Sequence, residues 1–313
     1  MKNIAKKAGK IALWCLGVLA ALAVLVWGGL NLAKFIIYSD YYSLKTDICT
    51  NPGLSDGFVC QGICSVEEQG LLLVSGYMKD DGPSRIYITD TEDRARFVTL
   101  SWEGEPFDGH LGGISRFGDR VYLADSSAVY LLSLEKLLAA EAGASLSPEE
   151  KVEVNNNASF CFADENYLYV GEFHDGGKYV TDHPHTAPEG ENHAIVSLYS
   201  HEDLTAPVRI YSIRDRVQGL AVKDGKMLLS TSYGLTSSEY YLYDLASAAD
   251  SGETLDGAPL YHFAACERTL TGPAMAEGIT LWDGKFATLT ESASDKYIFG
   301  KFFFATKIVA LDL

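Results

Sequence analysis

Five pairs of polar residues recur at a spacing of 14–16 along this chain: Gln61 with Tyr77, His110 with Asp125, Asn157 with Glu172, Gln218 with Tyr233, and Glu277 with Glu291. Their types suit three chemistries. Glu277 and Glu291 as a carboxylate pair could serve as general acid and base. Asp125, Glu172 and Glu277, with His174 beside Glu172, offer mostly hard oxygen ligands, which suit Ca²⁺ or another divalent cation and, through it, metal-assisted hydrolysis. Gln61, His110, Asn157 and Gln218 could bind a ligand by hydrogen bonds. The same residues could also line a water-filled channel and bond across it.

The spacing has meaning because each pair brackets a repeated strand–turn–strand unit. The units open with "QGICSV" (61–66), "GGISRF" (112–117), "SFCFAD" (159–164), "QGLAVK" (218–223) and "EGITLW" (277–282). Tight turns follow, among them "KDGK" and "WDGK", where Asp-Gly supplies the positive φ that two-residue hairpins need. Second strands ("LLLVSGY", "VYLADSS", "LYVGEFH", "MLLSTSY", "FATLTES") and third strands ("SRIYITD", "AVYLLSL", "AIVSLYS", "YYLYDLA", "TKIVALD") alternate β-branched and aromatic residues. Four units have a fourth run: "RFVTLSW", "KVEVN", "PVRIYSI" and "PLYHFAA". The fifth has none, and "YYSLKTDICT" (41–50) is available to fill it. Equivalent residues Gly62, Gly113, Phe160, Gly219 and Gly278 lie 51, 47, 59 and 59 apart. Four strands per unit of about 50 residues predict an all-β propeller, with five evident blades and room for a sixth. In such a ring the first strand of each blade faces the central channel, so the five pairs converge on one rim. Of the longer insertions, 134–150 reads as a short surface helix and 174–193 as a polar loop. The loop holds four of the seven His, and His183-x-His185 could take a transition metal from one strand face.

The N-terminus has a different character. Lys2, Lys6, Lys7 and Lys10 precede an uncharged run, Ile11 to Ala33. That run exceeds the roughly 20 residues needed to cross a bilayer as a helix. Flanking lysines stay cytoplasmic, so the expected order is a basic tail (1–10), a transmembrane signal anchor (11–33), a juxtamembrane segment with the possible closing strand (34–55) and an extracellular propeller (56–313) at the plasma membrane. A cleaved secretory signal is the alternative.

The formal charge is −17, and the first 38 residues carry five Lys and no acid. The remainder is therefore strongly acidic, which disfavours nucleic acid as a partner. Six Cys include Cys15 in the apolar run, leaving an odd number beyond it and no CxxC pair, so a structural zinc site is not expected. "GLSDG" (53–57) has the G-x-S-x-G spacing but no following helix.

"HLGGISRFGDRVYLADSSAVYLLSL" (110–134) and "VQGLAVKDGKMLLSTSY" (217–233) resemble the blades of NHL, YncE-like and SMP-30/gluconolactonase propellers. The resemblance implies a divalent cation held at the channel mouth by Glu, Asn and Asp side chains, for which Glu277 and Asn157 match by position, and hydrolysis of lactones or esters. Five-bladed glycosidases offer a second analogy, with carboxylates at one channel mouth. Two functions follow as expectations. One is a membrane-anchored module that binds an extracellular ligand or protein; the other is a tethered hydrolase, either an SMP-30-like metal-dependent lactonase or esterase or a carboxylate-pair glycosidase.

Overall fold

The computed structural model describes residues 2–303 and 305–313. It is a five-bladed β-propeller behind an N-terminal apolar helix, Lys2–Ile37. The innermost strands are Phe58–Val66, Gly113–Phe117, Phe160–Ala163, Val217–Lys223 and Ala276–Trp282, and each packs against the next around the ring. The approach is close. A Cβ at Gly62 would lie 2.7 Å from the Ile114 nitrogen, and one at Gly278 would lie 2.9 Å from the Gln61 carbonyl. Apolar cores fill the wedges between blades; Cys49, Phe58, Ile63, Val74, Leu289 and Ile308, for example, join blades 1 and 5.

Blade 5 is closed by the segment anticipated for it. Lys45–Thr50 pairs antiparallel with Lys307–Leu311, from Lys45 opposite Leu311 to Thr50 opposite Lys307. The Asp-Gly turns behave as their chemistry requires: Asp224 and Gly225, like Asp283 and Gly284, all have φ between 49° and 73°.

Two outer elements differ from the sequence reading. "PLYHFAA" is not the fourth strand of blade 4. That place is taken by Arg268–Gly272, paired with Ser238–Asp244. A local hairpin claims the earlier run instead: Asp256 and Gly257 both have positive φ and fold Ala258–His262 back on Ala249–Leu255. This hairpin then lies parallel to the outer strand Arg209–Ile213 of blade 3, where Ala258 and Leu260 are buried against Ile195 and Ile210. Within 134–150 the helix covers only Leu134–Ala139, capped by Ser133, whose hydroxyl accepts from the Lys136 amide at 3.2 Å. Ser145–Leu146 then adds a parallel edge to blade 1.

The helix contains a segment, Gly9–Ile37, long and apolar enough to cross a membrane, and most of its large apolar side chains are exposed. The six cysteines are free; Cys49, Cys60, Cys64 and Cys161 are buried.

Candidate functional site

Three of the five inner strands do not run smoothly into the channel mouth. Cys60 pairs with Gly76 but Ile63 with Val74; Ala276 pairs with Thr290 but Ile279 with Thr288; Val217 pairs with Thr231 but Gly219 with Ser230. Each of these three inner strands thus carries one extra residue over its partner, a β-bulge, whereas those of blades 2 and 3 pair in continuous register. Gln61-Gly62, Glu277-Gly278 and Gln218 occupy these bulges. A bulge re-aims a side chain, and here it turns Gln61, Gln218 and Glu277 towards the cavity. The glycine that follows Gln61 or Glu277 leaves room for the neighbouring blade. Carbonyls displaced by the bulges are satisfied by buried hydroxyls: Ser230 Oγ donates to the Glu277 carbonyl (2.7 Å) and Thr288 Oγ1 to the Gly278 carbonyl (3.1 Å).

A cavity of about 450 Å³ opens at this end of the channel. Gln61, Tyr77, His110, Asp125, Asn157, Gln218, Tyr233, Glu277 and Glu291 all line it. Of the ten residues paired in the sequence, Glu172 does not. It is buried, and its Oε1 accepts from His183 Nδ1 (2.6 Å) and the Ile195 amide (3.1 Å). His174 is also elsewhere, stacked on His193 with ring centroids 4.7 Å apart. Asp125 lines the cavity but spends Oδ1 on the Leu111 amide at 2.8 Å. Asp125, Glu172, Glu277 and His174, read together as cation ligands, are therefore not brought to one point. Among the described residues the His/Cys/Asp/Glu group with ligand atoms in common reach is His174, His193 and Asp215.

Two loops supply wall residues that the spacing argument did not name. The blade 3 loop contributes Asp175, Lys178 and Tyr179, and the blade 5 loop contributes Lys296 and Tyr297. Both join second to third strands, and their length is the signal that marks them. Lys296 Nζ bonds the Tyr77 hydroxyl and lies 4.5 Å from the Tyr77 ring centroid. Tyr77 also meets His110, with ring centroids 4.8 Å apart.

Glu277 and Glu291 dominate the electrostatics. Both are buried, and among the described residues neither has an ion-pair partner within 4.0 Å. Gln61 Nε2 donates to Glu291 Oε2 (2.9 Å), and Gln218 Nε2 reaches Glu277 Oε1 at 3.4 Å. Burial pushes the Glu291 carboxyl up to about 7, against the opposing pull of the Tyr297 hydroxyl, the Lys296 charge and the Gln61 amide. Burial, and then the nearby Glu291 charge, push Glu277 well above the usual carboxylate range. Burial and the same carboxylate hold the Tyr297 hydroxyl protonated, so it remains a donor. Burial lowers His110, keeping its imidazole neutral near pH 7. The mouth can therefore hold and release a proton, accept hydrogen bonds from a ligand, and present aromatic faces to it.

No family model matches the chain, and no curated protein does. Among solved structures it is similar to a hydrazine synthase chain of Kuenenia stuttgartiensis (10% identity, TM-score 0.39, covering 73% of this chain and 55% of that one). It is also similar to the computationally designed Ika8 protein (7% identity, TM-score 0.35, 81% and 71% covered) and to BamB from Moraxella catarrhalis (7% identity, TM-score 0.35, 81% and 83% covered). The chain thus spans about half the length of the first of these. Likeness at this level says nothing of activity, and the blade topology itself establishes the propeller. Membership of the NHL, YncE-like or SMP-30 groups is not shown.

Proposed function

We propose that this protein is a membrane-tethered propeller that binds a small polar ligand, bearing amine or hydroxyl donors, in its channel mouth on the extracytoplasmic side. The observation that carries this reading is the buried, ion-pair-free carboxylate pair Glu277 and Glu291 on the cavity wall. Burying carboxylates without a cationic partner is costly, and they take up protons instead. A ligand that donates hydrogen bonds or positive charge to them offsets that cost. Four acids (Asp125, Asp175, Glu277, Glu291) against two lysines (Lys178, Lys296) line the cavity, which favours a cationic over an anionic ligand. Tyr77, Tyr179, Tyr233 and Tyr297 provide flat faces for its apolar side.

The tether is the Gly9–Ile37 segment, and the lysine bias before it supports a cytoplasmic N-terminus with the propeller outside the cell. Ile298, Phe299 and Phe302 are exposed where the turn Gly300–Phe303 packs beside this helix, which suits a surface close to lipid. A rim Ca²⁺ held by Asp125, Glu172, Glu277 and His174 forms no part of the proposal, because those side chains do not converge.

The test is calorimetric titration of the full chain in detergent with neutral and amino sugars, at pH 6 and pH 8. The amino sugar should bind more tightly, with proton release at pH 6, and Glu277→Gln should weaken it at least about tenfold, the scale of a charged hydrogen bond. Equal affinity for both sugars, unchanged in the variant, sinks the reading.

A second reading has one observation in its favour. Two carboxylates on one wall, both raised by burial and Glu277 further raised by Glu291, are also what acid–base catalysis requires. Under it, protonated Glu277 would donate to a leaving group while Glu291 acts as base. Turnover of chromogenic glycosides or esters that disappears in both Glu277→Gln and Glu291→Gln would favour this reading.

A further inference from the structure

The long loop of blade 3 leaves its strand at His174 and returns at His193, so these residues stand at its two feet. Both imidazoles stack there, with ring planes 15° apart. Asp215 completes the group from the turn leading into blade 4. Its Oδ1 accepts the His193 backbone N–H at 3.0 Å, and both carboxylate oxygens lie within 3.2 Å of His193 Nδ1. One ligand atom from each of the three residues falls within 4.8 Å of the others.

We infer that His174, His193 and Asp215 form a site for a borderline divalent transition metal, Zn²⁺ foremost, separate from the channel-mouth cavity. Two imidazoles and one carboxylate are a donor set that Zn²⁺ takes in three-ligand sites, leaving a fourth position for water. Hard cations such as Ca²⁺ require more oxygens than the group provides. The orientation of the ligands is already set. His174 Nδ1 lies 2.8 Å from Thr181 Oγ1 and 3.1 Å from the Thr181 amide; metal at Nε2 selects the tautomer whose Nδ1–H donates to Oγ1, the way a metal-bound histidine's second nitrogen is characteristically held. Gly176 keeps that nitrogen approachable: even a Cβ there would stand 3.6 Å from Nε2. His174 is buried, whereas the His193 and Asp215 side chains are 39% and 33% exposed, so an ion enters from the solvent side. Zinc–ligand bonds of about 2.0–2.1 Å need ligand atoms a little closer than they now stand. The ion takes the place of the His193–Asp215 hydrogen bond and draws the two feet together.

This closure bears on the cavity. Asp175, Lys178 and Tyr179 lie in the segment between His174 and Thr181, and all three line its wall. Metal at the feet of the loop fixes that wall in place.

The experiment is titration of Zn²⁺, and of Co²⁺ as a spectroscopic stand-in, into the full chain in detergent, purified without a polyhistidine tag and after chelator treatment. One Zn²⁺ per chain is expected, with Co²⁺ bands of low coordination number and slower tryptic cleavage after the exposed Lys178. Asp215→Asn and His193→Ala change partly exposed side chains, so the fold is retained. Each should weaken binding at least about tenfold, as loss of a ligand or its support does. His185→Ala, a histidine of the same loop engaged with His262 at 3.1 Å, should leave binding unchanged. No saturable binding overturns the inference, as does binding that survives both variants or is lost equally in His185→Ala. Sugar titration of the metal-free protein reports on the channel mouth independently.

Discussion

Replacing Glu291 with Gln should make this protein more stable, by an amount that grows from nothing at pH 4.5 to its full value above pH 7. The folded-state carboxyl sits at about 7, raised mainly by burial, against an ordinary value of 4.5. A raised carboxylate binds its proton more tightly folded than unfolded, so stability falls as pH rises from the unfolded value through the folded one. Below pH 4.5 both states are protonated and there is no penalty. Above pH 7 the penalty is complete, and at about 1.4 kcal/mol per pKa unit it amounts to about 3 kcal/mol. Glutamine keeps the shape and can still accept from Gln61 Nε2, but carries no charge to desolvate. With an unfolding entropy of about 2 cal/mol/K per residue over roughly 270 folded residues, this corresponds to a melting-point gain of about 5 °C at pH 8, shrinking towards zero at pH 4.5. Differential scanning calorimetry of wild type and variant across that range measures it. A gain independent of pH, or a variant less stable than wild type at pH 8, would refute the claim that an uncompensated buried charge resides at this position.

Other expectations follow from the same geometry. Gly278→Ala should destabilise by about 1–3 kcal/mol, since its Cβ would stand 2.9 Å from the Gln61 carbonyl and the Ile63 nitrogen, and chemical denaturation reads this directly. His183 should titrate above 6.5 because of its hydrogen bond to Glu172, whereas His110 should titrate below 6.5 because of burial. An NMR histidine titration tests both, and a His183 midpoint below 6.5 would contradict the Glu172 contact. The stabilisation from His183 is then full below pH 6.5 and is lost as pH rises through its folded pKa.

The blade repeat was legible because hairpin turns and alternating strands are local features. Asp224-Gly225 and Asp283-Gly284 announce their turns, and five inner strands follow at near-regular intervals. The rim was legible for the same reason: once first and second strands form a hairpin, Gln61 must stand near Tyr77 and Glu277 near Glu291. What local pattern could not show is competition between partners. "PLYHFAA" has the pattern of a strand in either blade 4 or the hairpin on blade 3, and the Asp256-Gly257 turn decides in favour of the hairpin. Glu172 likewise belongs to the rim by position, but His183, eleven residues on, returns through a long loop to claim it. The bulges at Glu277 and Gln61 left only the trace of a carboxylate or amide before glycine. Their role emerges from the offset in strand register, which a single strand does not reveal.

The strand that completes blade 5 begins at Lys45, eight residues after the end of the apolar helix at Ile37. The clasp of the ring and the apolar helix are thus joined by one continuous stretch of backbone. During synthesis Lys45–Thr50 emerges ahead of the blades and must wait for Lys307–Leu311 to be made after every intervening blade. Ring closure is then a search by a strand whose partner is more than 250 residues away, the slowest kind of contact to form. Any tension on the apolar helix is also delivered straight to the hydrogen bonds that keep the ring shut.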